Sequence, residues 1–235
     1  MKILGIETAS NICAVAIVEN GCVLNEKSLD QPSIHSQKLI SLIDDVLTNT
    51  YDFDAIAVSI GPGSFTGLRI GLSVAKGILY GSNKPITAVS TLKAIAYNLL
   101  RYKNENSVNG LIVCALIDAR RDEFYTAIYE IDNKTLLLKL EPQAIRYHDL
   151  VELVSEKKMI FIGNGVEKFL KLIINHNIKK NIWIFKEGLI NLCSAGSVAL
   201  LGEYQLFEHI TENIFDIEPV YVKDFHTLVK NQYKI

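Results

Sequence analysis

Residues Ala55 to Gly81 read AIAVSIGPGSFTGLRIGLSVAKGILYG, and the rest of the chain is organised around them. Ala55 to Ile60 is a mostly apolar run of strand length, Gly61, Pro62 and Gly63 turn the chain, and a helix is expected from about Thr66 to Tyr80. Counting about 100° per residue from Gly67 places Leu68, Leu72, Ala75 and Leu79 on one side of that helix. Ile70, Val74 and Ile78 join Gly67 and Gly71 on the adjoining side, and Arg69, Ser73, Lys76 and Tyr80 fall outside this arc. The apolar sector spans roughly 200°, about twice that of a helix covering one core. Gly67, Gly71 and Gly77 each cost roughly 1 kcal/mol relative to Ala inside a helix, so something must offset them. Complete burial within this chain is one explanation. Close approach of another helix across Gly67 and Gly71 is the other, and the wide apolar sector favours it.

The glycines match none of the familiar ligand or nucleophile patterns. A P-loop needs Gly-Lys-Ser/Thr where Thr66 and Gly67 stand, and the dinucleotide fingerprint needs a third glycine at Thr66. A nucleophile elbow around Ser64 needs glycines at Pro62 and Thr66. The helix start could still hold an anion on its backbone N–H groups.

At 235 residues the chain suffices for one large or two small cores. Its hydrophobic share is 49% and its mean hydropathy +0.21, the pattern of a globular protein well supplied with core. With a formal net charge of -2, it has no electrostatic footprint for nucleic acid, so any RNA is expected on another subunit. Glu7 arrives too early for a signal peptide, and no apolar run is long enough to span a membrane. Cys13, Cys22, Cys114 and Cys193 form no C-x-x-C pair and read as reduced thiols of a cytoplasmic protein.

In order, strands are expected at Lys2 to Ile6, Ile12 to Val18 and Cys22 to Leu29, with Asn20-Gly21 as the hairpin turn. A helix introduced by Pro32 and Ser33 runs to about Asn49, followed by the central strand and helix, a strand at Ile86 to Val89 and a helix at Thr91 to Leu100. Arg101 to Asn109 is polar and reads as a linker. The pattern then restarts with strands at Leu111 to Ile117, Glu123 to Tyr129 and Thr135 to Leu140. Next come a helix near His148 to Glu156, a strand at Met159 to Ile162, a turn at Gly163-Asn164-Gly165 and helices near Val166 to Ile174 and Asn191 to Phe207. A strand at Trp183 to Phe185 lies between those helices, and Glu218 to Lys223 is expected to pack back extended. A displacement of 111 positions matches Ile6 with Ile117, Glu7 with Asp118, Ala16 with Ala127, Ile17 with Ile128 and Glu19 with Glu130, which reads as an internal duplication. The expected units are 1–104, a smaller degenerate copy at 105–223, and a tail at 224–235.

A duplicated three-strand unit with a carboxylate ending each first strand resembles the actin, Hsp70 and sugar-kinase superfamily, an α/β fold with mixed sheets and two subdomains. That resemblance implies nucleotide in the cleft between the halves, its phosphates on two hairpin turns. Here those turns are Glu7-Thr8-Ala9-Ser10 and Asp118-Ala119-Arg120-Arg121, without the glycine that lets backbone approach phosphate. Glu7, Thr8, Asp118 and Arg120 therefore mark a weak or lost site for ATP or ADP with magnesium.

Four segments together are similar to the bacterial TsaB (YeaZ) family. They are Leu4-Gly5-Ile6-Glu7-Thr8-Ala9-Ser10, His35-Ser36-Gln37, Gly61 to Gly71, and Ile117-Asp118-Ala119-Arg120-Arg121-Asp122-Glu123-Phe124-Tyr125, with Pro219 to Lys223 as a family-like ending. The resemblance implies a non-catalytic subunit in making threonylcarbamoyladenosine on tRNA, beside a catalytic TsaD-like paralogue and a TsaE-like ATPase, with tRNA reached only through the complex. It also implies that the helix after the glycine-rich loop docks the partner or self-pairs into a homodimer. The expected contact residues are Gly67, Leu68, Arg69, Ile70, Gly71, Val74, Ala75 and Ile78. Glu7 stands where the family usually has Asp, and Gln37 and Ser41 replace a usual Glu and Pro. His35 is followed four residues later by Leu39, so the metal-gripping H-x-x-x-H of the paralogue is missing and no metal is expected. The competing expectations are an ATP-dependent phosphotransferase with Glu7 and Asp118 on magnesium, and a peptidase, for which the sequence offers no paired metal ligands and no evident triad spacing.

Overall fold

The computed structural model describes residues 1–47, 52–102, 108–155, 158–176, 183–186 and 188–222. The chain first lays down strands β1 (Lys2–Glu7), β2 (Ile12–Glu19) and β3 (Cys22–Asp30), then helix α1 (His35–Leu47), β4 (Ala55–Gly61), α2 (Phe65–Leu79), β5 (Ile86–Ser90) and α3 (Thr91–Tyr102). It repeats with β6 (Ile112–Asp118), β7 (Glu123–Asp132), β8 (Thr135–Arg146), α4 (Tyr147–Val154), β9 (Met159–Ile162), α5 (Val166–Asn175) and β10 (Trp183–Phe185). A 3₁₀ turn (Gly188–Asn191) and α6 (Ala195–Phe207) follow.

The two sheets have the same topology, β3-β2-β1-β4-β5 and β8-β7-β6-β9-β10. In each, an antiparallel three-strand meander is extended by parallel strands, which bears out the duplication. One detail differs from the sequence match. Leu4 pairs with Ile17 while its counterpart Ala115 pairs with Ala127, so β2 and β7 correspond at a displacement of 110, not 111. The second hairpin turn is one residue shorter, and a single displacement cannot describe both strands.

Five layers stack in order. Helices α1 and α2 cover one face of the first sheet around Leu4, Ile6, Val15, Ile43, Val58 and Leu72. On the opposite face Ile3, Ala55, Ala57 and Val89 meet Val198, Ala199 and Leu201 of α6. Helix α3 lies against α6 and covers the second sheet through Leu92, Ile95 and Leu99, and α4 and α5 close the far side around Phe124, Tyr147, Phe161 and Phe169. Although 105–223 is one stretch by sequence, α6 leaves the second sheet to pack on the first. Its apolar residues surround the helix, so it needs cover on two sides and finds it between the first sheet and α3.

Boundaries moved for local reasons. β8 runs on to Arg146 through Pro142 because it is an edge strand, where one face of the ladder needs no N–H. α6 starts at Ala195, not Asn191, because Ser194 caps it by accepting from the Ser197 N–H at 3.1 Å. At the first hairpin, Asn20 and Gly21 both take positive φ, +49° and +76°, as the Asn-Gly signal requires. Thr48 and Asn49 at the expected end of the first helix, the middle of the 101–109 linker, Lys223 and the 224–235 tail lie outside the described residues.

Candidate functional site

The first hairpin turn is sealed by the chain's own glycine-rich segment. Glu7 and Thr8 are fully buried at the end of β1. One Glu7 oxygen accepts from the Ala9 N–H at 2.5 Å, while Oε2 and the Thr8 hydroxyl have no hydrogen-bond partner among the described residues. Burial pushes the Glu7 carboxyl up to about 7, and the Ala9 N–H and neighbouring Ser59 hydroxyl pull it back only in part. The Ser64 N–H donates to the Ala9 carbonyl at 2.6 Å, drawing the loop onto the turn. A Cβ at Gly63 would collide with the Ala9 carbonyl, one at Gly67 with the Thr8 carbonyl, and one at Gly71 with the Thr8 hydroxyl.

These contacts correct the reading of Gly67 and Gly71 as seats for a second helix. The close approach is to Thr8 of the same chain, and the missing side chains let α2 press on the β1 turn. Leu68 and Ala75, also expected at the partner contact, have no exposed surface and belong to the chain's own core. Ile70, Val74 and Ile78 are half-buried against that core, and Arg69 is exposed.

The open side of α2 lies elsewhere on the helix. Thr66, Ser73 and Gly77 are exposed, Tyr80 is 79% exposed, and among the described residues nothing stands within 4 Å of a Cβ built on Gly77. The closing segment flanks this side. The Val220 N–H donates to the Ile60 carbonyl at 2.7 Å, and the Tyr221 ring lies 5.1 Å from that of Phe65. The Arg69 guanidinium sits 3.7 Å over Phe65 and donates to the Tyr221 hydroxyl at 3.0 Å, while Lys76 donates to the Phe215 carbonyl at 3.2 Å. Phe215 is 74% exposed. Sequence reasoning missed Ser73, Gly77, Tyr80 and Phe215. The available signal was the spacing of two small residues, Ser73 and Gly77, four apart on the side opposite the buried arc.

The second turn is open and charged. Asp118 is exposed, accepts from the Arg120 N–H at 2.7 Å, and pairs with Lys168 of α5 at 2.5 Å. Arg120 and Arg121 stand in left-handed backbone, φ +66° and +49°, and Asn164 accepts from the Asp118 N–H. Glu7 and Thr8 are therefore closed off while Asp118 and Arg120 face solvent, and Lys168 was not foreseen. His35 is buried with its ring 3.2 Å from the Ile12 carbonyl, a packing role. Among the described residues no three His, Cys, Asp or Glu side chains group to hold a metal, and no helix is long and apolar enough to cross a membrane.

Compared with known proteins, residues 30–229 match the family model described as TsaD, tRNA N6-adenosine threonylcarbamoyltransferase. The tRNA threonylcarbamoyladenosine biosynthesis protein TsaB of Escherichia coli strain K12 is 30% identical over 231 residues, 95% of this chain and 95% of that protein. Among solved structures, YeaZ from Pseudomonas aeruginosa superposes with a TM-score of 0.76 at 24% identity, covering 94% of this chain and 99% of that one. The activator of 2-hydroxyisocaproyl-CoA dehydratase from Clostridium difficile, solved with ADPNP, shares the fold at a TM-score of 0.50 and 10% identity, over 91% of this chain and 99% of that one. The duplicated mixed sheets are thus of the actin, Hsp70 and sugar-kinase type.

Proposed function

The chain belongs to the TsaB (YeaZ) family, within the wider family that the TsaD model describes, and from that premise we propose that it is a non-catalytic docking subunit. Its work is the synthesis of threonylcarbamoyladenosine on tRNA, the process named for its TsaB relatives. It supports a TsaD-like catalytic subunit, tRNA is reached through that subunit, and a TsaE-like ATPase joins the complex. The observation that carries this reading is the two-sidedness of α2. One side is pressed onto the β1 turn, while the other presents Ser73, Gly77 and Tyr80 outward.

Small residues four apart let a second helix approach closely, and Ile70, Val74 and Phe215 supply apolar rims around them. Without its partner the same side pairs with a second copy. A carboxylate with no exposed surface cannot neutralise phosphate charge, so Glu7 performs no phosphotransfer chemistry.

The test is co-expression with the TsaD-like protein. Gly77→Leu adds a side chain into open space, so the variant is expected to fold with unchanged circular dichroism and to lose co-purification. Ile70→Glu is expected to do the same, and the isolated chain should leave tRNA unmodified. A folded Gly77→Leu variant that still co-purifies would refute the docking side.

A further inference from the structure

Between the two sheets the chain crosses twice, from α3 to β6 and from the 188–194 segment to α6. The second crossing is held by side chains that no part of the docking site uses. Asn98 of α3 is fully buried, and its Nδ2 donates to the carbonyls of Ile190 at 2.9 Å and Leu192 at 2.8 Å. Its Oδ1 accepts from the Ser197 hydroxyl of α6 at 2.6 Å. Arg101, one turn further along α3, donates to the Ser194 hydroxyl at 2.6 Å and to Glu26 of β3 at 2.7 Å. The other Glu26 oxygen accepts from the Ser194 hydroxyl at 2.8 Å and the Gly196 N–H at 3.0 Å. On the far side, Asn191 accepts from the Gly163 N–H at 3.0 Å, tying the same segment to the loop after β9.

Burial alone would raise the Glu26 carboxyl. Arg101, the Gly196 N–H and Ser194 together carry it below its ordinary range, the mark of a carboxylate well matched by its surroundings. Ile190 and Cys193 meanwhile pack in the core of the second sheet with α3. One short segment is therefore bonded to an edge strand of the first sheet, to both central helices and to the second sheet.

A hinge needs the opposite: a few terminal or loop residues with unshared bonds that absorb a change in φ and ψ. We infer that the Glu26, Asn98 and Arg101 clamp locks the two sheets into one rigid body, so that they do not move relative to one another. The sheets keep one fixed posture, and the outward side of α2 is presented without an ordering cost.

The experiment measures the distance between the sheets by pulsed electron resonance in the full-length chain. Cys22, exposed on the first sheet, carries one spin label and Lys171→Cys on α5 the other, because Cys13, Cys114 and Cys193 are buried. The expected result is one narrow distance distribution, unchanged by saturating ADP or ATP with magnesium. The Glu26→Ala/Arg101→Ala pair, which leaves neither charge orphaned, should widen it about twofold, as should Asn98→Ala. A bimodal distribution, or a shift with nucleotide in the otherwise unaltered chain, overturns the lock. So does a folded clamp variant of unchanged width. Where a clamp variant does not fold, the width of the distribution in the labelled chain decides alone, a broad or bimodal one overturning the lock.

Discussion

The two halves place a Gly-x-Gly turn at the same point, Gly61-Pro62-Gly63 after β4 and Gly163-Asn164-Gly165 after β9, with φ of +113° at Gly61 and +116° at Gly163. Counting on from these turns, Gly67 and Gly71 of α2 fall opposite Phe169 and Ile173 of α5. Glycine lets α2 sink onto the β1 turn until Thr8 touches its backbone. In α5 the first of these positions is filled by Phe169, which packs against Phe124, Phe161 and Tyr147. The first turn is thereby converted into core with a sealed carboxylate, and the second is left as an exposed ion pair between Asp118 and Lys168. The two carboxylates thus differ in burial, Glu7 enclosed and Asp118 at the surface.

The largest effects follow from substitutions at and near these positions. Phe169→Ala opens a cavity among three aromatic rings and should cost about 4 kcal/mol. Gly67→Ala forces α2 off the Thr8 carbonyl and should cost about 3 kcal/mol, far more than one methyl group ordinarily does. In the second half Gly165→Ala meets its nearest atoms only at 3.1 Å, and about 1 kcal/mol is expected. Urea denaturation of the three variants checks the contrast, and equal losses for Gly67→Ala and Gly165→Ala would erase it.

The sealed carboxylate should make stability depend on pH. Glu7 moves from 4.5 to about 7 on folding. Between these values the folded chain keeps a proton that the unfolded chain has lost, so stability falls as pH rises through this window and then levels off. The 2.5-unit difference corresponds to about 3 kcal/mol. Glu7→Gln should flatten the profile and raise Tm at pH 8. Cys13 and Cys193, whose thiols burial pushes up, stay neutral throughout. Asp118→Asn, at a pair with side chains 44% and 22% exposed, should change stability by less than about 1 kcal/mol. Thermal melts of the unaltered chain and Glu7→Gln from pH 4 to pH 8 check the first prediction, and a melt of Asp118→Asn at one pH checks the second.

Much of this was legible. Strand alternation, the Asn-Gly hairpin and the carboxylates closing β1 and β6 announced a duplicated sheet, because such patterns are local. The glycines of α2 announced a close approach but not its partner. A missing Cβ says that something comes near, and only the fold says that it is Thr8. The clamp was illegible for a related reason: Glu26, Asn98 and Ser194 are ordinary polar residues until β3, α3 and the start of α6 converge. Asp118 was noticed and Lys168, 50 positions later, was not, since a lone lysine on a helix carries no signal.

Gly77 separates the glycines that the fold needs from the one it does not. Gly67 and Gly71 meet the first turn, whereas among the described residues a Cβ on Gly77 meets nothing within 4 Å. Ala in its place therefore removes only the backbone entropy that glycine costs inside a helix, and should stabilise the isolated chain by about 1 kcal/mol. A natural sequence that keeps glycine there forgoes that gain, which makes sense if something outside the chain comes as close to Gly77 as Thr8 does to Gly67. Gly77→Ala should thus raise Tm while weakening assembly with the partner, and opposite signs in the two measurements are the expected signature. A variant that gained stability and bound as well as before would leave the open side of α2 with no need of a small residue, and the two sides of the helix would no longer differ in kind.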